Sequence, residues 1–135
     1  MLKLIIGVKG TGKTKQLIEL VNQSLEATKG DVVCIEKGEK LRFDVSYKCR
    51  LINTEEFAID DAEYLYGFVA GILASNNDVT DLYIDSALKI CKDDFDEFEK
   101  ILDNVADLVD KKEVNCVMTL SMPADAATDK IKKYL

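Results

Sequence analysis

Histidine is absent from all 135 residues. With it go Ser-His-Asp and Cys-His catalysis, His-ligated zinc and imidazole proton relays. Proline occurs once and glycine seven times, so breakers are too sparse for a disordered or low-complexity chain. Basic runs are also missing. The densest grouping is Lys130, Lys132 and Lys133, arginine is confined to Arg42 and Arg50, and 25 acidic residues against 18 basic ones leave a formal charge of −7. Counterion-release binding needs a basic stripe, so no nucleic acid is expected as a partner. The longest apolar stretch, Tyr64 to Ala74, falls far short of a membrane span. The opening MLKLIIGVKG has too short an apolar stretch for a signal peptide and no cleavage pattern. The expectation is a cytoplasmic protein with no membrane association.

What remains is 47% hydrophobic and 32% charged, enough apolar material for one core and a single domain over residues 1–135. Cys34, Cys49, Cys91 and Cys116 form no CxxC pair, and three lie inside apolar runs. They read as buried free thiols rather than as a zinc knuckle or a disulfide framework.

Apolar patterning divides the chain into alternating strands and helices. Leu2 to Ile6 reads as a short buried strand stopped by Gly7, and Lys13 to Thr28 as a helix with Leu17, Leu20, Val21 and Leu25 on one face and Gly30 as its stop. Val32 to Glu36 is a second strand. Leu41, Phe43, Val45, Tyr47, Cys49 and Leu51 alternate with polar residues, which predicts extended structure, a hairpin turning near Val45 to Tyr47 and packed on one face only. Helix resumes between Thr54 and Asp60 and runs to Ser75. Its segment YLYGFVAGILA is apolar nearly all round, which predicts burial on both sides or cover from a partner subunit. Val79 to Asp85 is a third strand. Asp93 to Asp110 is an amphipathic helix that Asp93 or Asp94 can cap, Val114 to Leu120 a fourth strand, and Ala124 to Lys133 a closing helix. This alternation predicts an α/β fold with a mainly parallel sheet.

One segment carries chemistry. Gly7-Val8-Lys9-Gly10-Thr11-Gly12-Lys13-Thr14 has the form G-x-x-x-x-G-K-T between a strand and a helix, the context this pattern requires. Glycines let successive N–H groups turn toward phosphate oxygens, and the helix N-terminus adds a positive field. Lys13 is placed to meet the β- and γ-phosphates, and Thr14 to offer its hydroxyl to Mg²⁺. A carboxylate at the end of another strand should complete the metal shell. Asp81-Leu-Tyr-Ile-Asp85-Ser86 supplies one in Asp85, with Asp81 at the far end of that strand expected to be a solvated surface residue.

Gly7 to Thr14 and Leu82 to Asp85 resemble the Walker A and Walker B segments of P-loop NTPases. The order of elements is similar to the RecA-like branch, in which an extra strand separates the two. That resemblance implies a three-layer αβα core whose sheet runs in the order P-loop strand, sensor strand, Walker B strand, then the strand ending in Glu36. It implies a catalytic Glu36 beside Lys13, and Thr119 and Ser121 as γ-phosphate sensors. The chain also resembles small bacterial P-loop ATP-binding proteins. D-x-x-G, N-K-x-D, LSGGQ, paired zinc cysteines and basic DNA-binding loops are all missing, so no residue is marked for reading guanine, and ATP with Mg²⁺ is the expected ligand pair.

Three functions follow. The first is a slow Mg²⁺-dependent ATPase or ATP-dependent switch. The second is a nucleotide-sensing or scaffolding module without turnover, favoured by Ser86 where many relatives of that branch carry Glu. The third is a small-molecule kinase, disfavoured because only Arg42 and Arg50 are available to clamp a transferring phosphoryl group. Those two arginines are also the candidates for a finger offered to a neighbouring protomer, and the acidic composition points to a protein partner or homo-oligomer. Tyr47, Tyr64, Tyr66 and Phe43 are candidates to stack on a base.

Overall fold

A computed structural model describes residues 1–135. Five strands, all parallel, form one sheet: β1 (Leu2–Gly7), β2 (Asp31–Glu36), β3 (Arg50–Asn53), β4 (Val79–Ile84) and β5 (Asn115–Ser121). Their spatial order is β1-β5-β4-β2-β3. The helices are α1 (Lys13–Ala27), α2 (Ala62–Ser75), α3 (Ala87–Ile90), α4 (Phe95–Lys111) and α5 (Asp129–Lys132). The predicted α/β class with a parallel sheet is what the chain adopts. No helix is long and apolar enough to cross a membrane.

Strand periodicity decides which face each residue serves. Val33 and Ile35, Leu82 and Ile84, and Cys116, Met118 and Leu120 face a large core shared with Leu65, Val69 and Leu73 of α2 and with Phe98, Leu102 and Val105 of α4. The alternate residues Val32, Cys34 and Tyr83 face a smaller core closed by Leu17 and Val21 of α1. Because both faces of the central strands are covered, they read as continuous apolar runs, as buried parallel strands do. All four cysteines are buried and free. Burial pushes the thiols up, Cys49 to about 11 and Cys91 and Cys116 to about 12, which suits packing and not nucleophilic chemistry.

Three local expectations need correction. The alternating segment after β2 is not a hairpin. It folds as a 3-10 turn, Leu41–Phe43, then irregular chain, then the edge strand β3. Leu41, Val45 and Cys49 are buried in the core under α1, while Phe43 and Tyr47 are 78% and 92% exposed. Every fourth residue is anchored, not every second, and that spacing holds a loop rather than a strand. The second correction concerns α2. Its own chain buries one stripe, Ala62, Leu65, Val69 and Leu73, and leaves Tyr64, Gly67 and Gly71 exposed, so of the two expected arrangements burial on both sides within the chain is the one it does not adopt. The third is the closing helix, which breaks into a 3-10 turn, Ala124–Ala126, and the four-residue α5. Elsewhere bounds match closely, and Asp94 caps α4 by accepting from the Glu97 N–H at 3.2 Å.

The register brings the carboxyl ends of the strands to one edge. Gly7 lies beside Ser121, Ile84 beside Ile35, and Glu36 beside Asn53. Open α/β sheets bind ligands outside this edge.

Candidate functional site

The turn between β1 and α1 is built on two glycines. Gly10 has φ 88° and Gly12 φ 85°, a left-handed backbone that costs other residues about 1–2 kcal/mol. The loop closes on the Val8 carbonyl, which accepts from the Thr11 hydroxyl at 2.8 Å and from the Lys13 ammonium at 3.0 Å. The N–H groups of Gly12, Lys13, Thr14 and Lys15 donate to no other group of the chain. These are the free donors of a helix start, and they converge on the same mouth as the Lys13 charge.

Asp85 stands directly after β4, beside that mouth. Its two carboxylate oxygens accept from the Thr14 hydroxyl at 3.2 Å each. Thr119, 1% exposed on β5, donates to Asp85 Oδ1 at 2.7 Å and accepts from the Ser86 N–H at 2.7 Å. Thr119 therefore orients Asp85 from beneath, and Ser86 is anchored in a left-handed turn with φ 52°. The sheet order makes this possible: β5 lies between β1 and β4, so Thr119 reaches Asp85 sideways while Thr14 reaches it from the loop. Ser121, one turn of the pleat further on, lines the cavity above but makes no hydrogen bond through its side chain.

Glu36 also reaches this cavity, but it does not project freely from the strand end. It is 4% exposed, and its two oxygens accept from the backbone N–H groups of Lys40 and Leu41, both at 3.1 Å. Burial raises its pKa, the Leu41 and Lys40 donors oppose the rise, and Asp85 and Glu39 add to it. Each oxygen keeps a further lone-pair direction. Asp81, expected at the surface, is buried and accepts from the Thr80 hydroxyl at 2.8 Å, at the amino end of β4 and away from the cavity.

The cavity bounded by these groups encloses about 500 Å³, within the range of small-molecule sites. Six lysines face it: Lys9, Lys13 and Lys15 from the glycine loop and α1, Lys37 and Lys40 from the segment after β2, and Lys89 from α3. The carboxylates around it are Glu36, Asp85 and Asp93. None of the six lysines is ion-paired; the chain's ion pairs lie elsewhere. An acidic protein thus collects a cationic cavity that no linear run announces. Lys37, Lys40 and Lys89 escape a reading by motif because they come from two distant segments and meet only through the parallel crossovers. The only hydrophobic residue on the wall is Leu41, and neither Phe43, Tyr47, Tyr64 nor Tyr66 is on it.

Arg42 and Arg50 lie outside this cavity. They border a smaller one of about 290 Å³ that shares Glu36 with it. Arg42 pairs with Glu39 at 3.4 Å and covers the Phe43 ring.

No group of three or more His, Cys, Asp or Glu side chains is gathered to hold a metal. Thr14 and Asp85 are the hydroxyl and the carboxylate that the fold brings together at the loop mouth. That donor set fits Mg²⁺, which keeps waters and takes most remaining ligands from substrate phosphates, and does not fit a metal held by an all-protein cage. No protein-family model matches the chain, and no curated protein matches it.

Proposed function

We propose that the chain binds a nucleoside triphosphate with Mg²⁺ at the carboxyl edge of its sheet and acts as a slow ATPase or ATP-dependent switch. The observation that carries the reading is the contact between Thr14 and Asp85 at the mouth of the glycine loop. Two residues 71 positions apart, one from each motif, meet at the mouth of the loop, where together they would hold Mg²⁺. The position of β5 between β1 and β4 supports the finer fold reading, a P-loop NTPase core with one strand separating the Walker A and Walker B strands.

In this reading the free N–H groups of Gly12 to Lys15 take phosphate oxygens, and Lys13 leaves the Val8 carbonyl to meet the β- and γ-phosphates. Thr14 and Asp85 would hold Mg²⁺, which neutralises charge on the phosphates when bound. Thr119 keeps Asp85 oriented, and Ser121 faces the γ-phosphate end. Glu36 accepts from a water aligned for in-line attack through the lone pairs that Lys40 and Leu41 leave open. The engagement of both Glu36 oxygens by backbone donors favours the second reading, a nucleotide-sensing module, to the extent that it holds the loop and not a water.

Phosphate release from ATP, with and without Mg²⁺, tests the proposal. The expected result is slow, Mg²⁺-dependent release that Glu36→Gln lowers by roughly 10²–10⁴-fold while ATP still binds. Binding without release in the wild type selects the sensing module; the absence of both binding and release contradicts the proposal. A second copy that supplies Arg42 or Arg50 in trans would raise the rate.

A further inference from the structure

The glycine loop accounts for only half of the cationic cavity. Lys37 and Lys40 stand on the segment that follows β2, and Lys89 on α3, across the mouth from Lys9, Lys13 and Lys15. The segment bearing Lys37 and Lys40 is held in place from below. Glu36 accepts from Lys40 and Leu41, the Gly38 N–H donates to Asn53 Oδ1 at 2.8 Å, and Leu41 is 2% exposed in the core under α1. A loop tied at three points presents two ammonium groups at a fixed edge. Neither these two lysines nor Lys89 has a carboxylate partner within ion-pair distance, although the chain carries 25 acidic residues that could supply one.

The same wall is as notable for what could grip a base. Leu41 is its only hydrophobic residue, and its side chain is already spent in the core. A nucleobase is read by stacking on an aromatic or apolar face together with hydrogen bonds to its edge. Here the lining offers charges, two glycines and the hydroxyls of Thr14, Ser86 and Ser121, but no aromatic ring.

We infer that this site recognises the polyphosphate chain and not the base, with Lys37, Lys40 and Lys89 forming a second cationic wall opposite the glycine loop. The inference rests on the proposed nucleotide site and assigns its ligand class: linear triphosphates, with or without a nucleoside attached.

The test is competition against a fluorescent ATP analogue in the presence of Mg²⁺, with ATP, GTP, CTP and inorganic tripolyphosphate as competitors. The expected dissociation constants lie within about five-fold of one another, because base stacking would set tripolyphosphate roughly ten- to hundred-fold below the nucleotides and edge hydrogen bonds would separate the nucleotides themselves. Lys37→Gln, Lys40→Gln and Lys89→Gln should each weaken ATP and tripolyphosphate by the same factor, roughly three- to ten-fold, and added salt should weaken the wild type more than the variants. Lys29→Gln, at the opposite end of the sheet, should change neither. Tripolyphosphate weaker than ATP by more than about 30-fold, or a ten-fold preference among the three nucleotides, overturns the inference and leaves the nucleotide site standing. Equal binding by wild type and all three lysine variants also overturns it. An analogue that binds wild type and Lys13→Ala equally, or neither, removes the nucleotide site itself and the inference with it.

Discussion

Asp85 shows how much one side chain is asked to do. It accepts from Thr14 and Thr119 and lies 3.5 Å from the Ser86 hydroxyl, so its orientation is settled before any ligand arrives. Asp85→Asn keeps the shape and removes the charge. It should raise the Mg²⁺ concentration needed for half-maximal ATP-dependent stabilisation by roughly ten-fold or more, whereas Asp81→Asn, at the other end of β4, should leave it unchanged. Equal Mg²⁺ requirements in the two variants, read by thermal shift across a magnesium titration, would contradict the assignment. Glu36 makes a separate prediction through pH. Its carboxyl is raised above the ordinary 4.5 because burial disfavours the charged form more than Leu41 and Lys40 favour it. The folded state therefore holds the proton more tightly than the unfolded chain. The contribution is fully present below the unfolded pKa and is lost as pH rises through the folded one. The stability of wild type relative to Glu36→Gln should fall as pH rises above the ordinary carboxylate range, and a constant difference in denaturation midpoints would show that Glu36 is not raised.

At the scale of elements, the strands and the long helices were legible because their signals are local. Apolar runs bounded by glycine or acid marked β1, β2, β4 and β5, and a 3.6-residue stripe with an acidic cap marked α4. The strand β3 was hidden because Arg50 to Asn53 is short and borders the sheet on one side only. The segment before it misled because Phe43 and Tyr47, which look like core residues, point outward. In the candidate site, Gly7 to Thr14 and Asp85 could be named from spacing. Lys37, Lys40 and Lys89 could not, since their shared cavity depends on which strands become neighbours. The grip of Lys40 and Leu41 on Glu36 was equally invisible, being a matter of backbone direction after β2. The helix α2 yields a prediction of its own. A Cβ added at Gly67 or Gly71 meets nothing within 4 Å, so Gly67→Ala and Gly71→Ala should each stabilise the isolated protein by about 0.5–1 kcal/mol, roughly 2–5 °C in midpoint. Gly30→Ala should do the reverse, because its Cβ would overlap the Asp78 carbonyl and the Thr80 methyl. Loss of stability in the two helix variants would mean that the face carrying them is covered by a close-packed partner.

At the scale of the whole molecule, a net charge of −7 and a cavity edged by six lysines belong to one design. The parallel order of the sheet delivers the cations to one edge, where the proposed polyphosphate would be held at several points. The proposed triphosphate site in the glycine loop is tested most directly by thermal unfolding of wild type and Lys13→Ala with saturating ATP and Mg²⁺. At about 100 times its dissociation constant, a ligand bound only to the folded state adds about 2.7 kcal/mol. The midpoint should rise in the wild type by the amount that this free energy implies and rise hardly at all in Lys13→Ala, because the variant lacks the ammonium proposed to face the β- and γ-phosphates. Equal rises in both proteins, or no rise in the wild type, would contradict it.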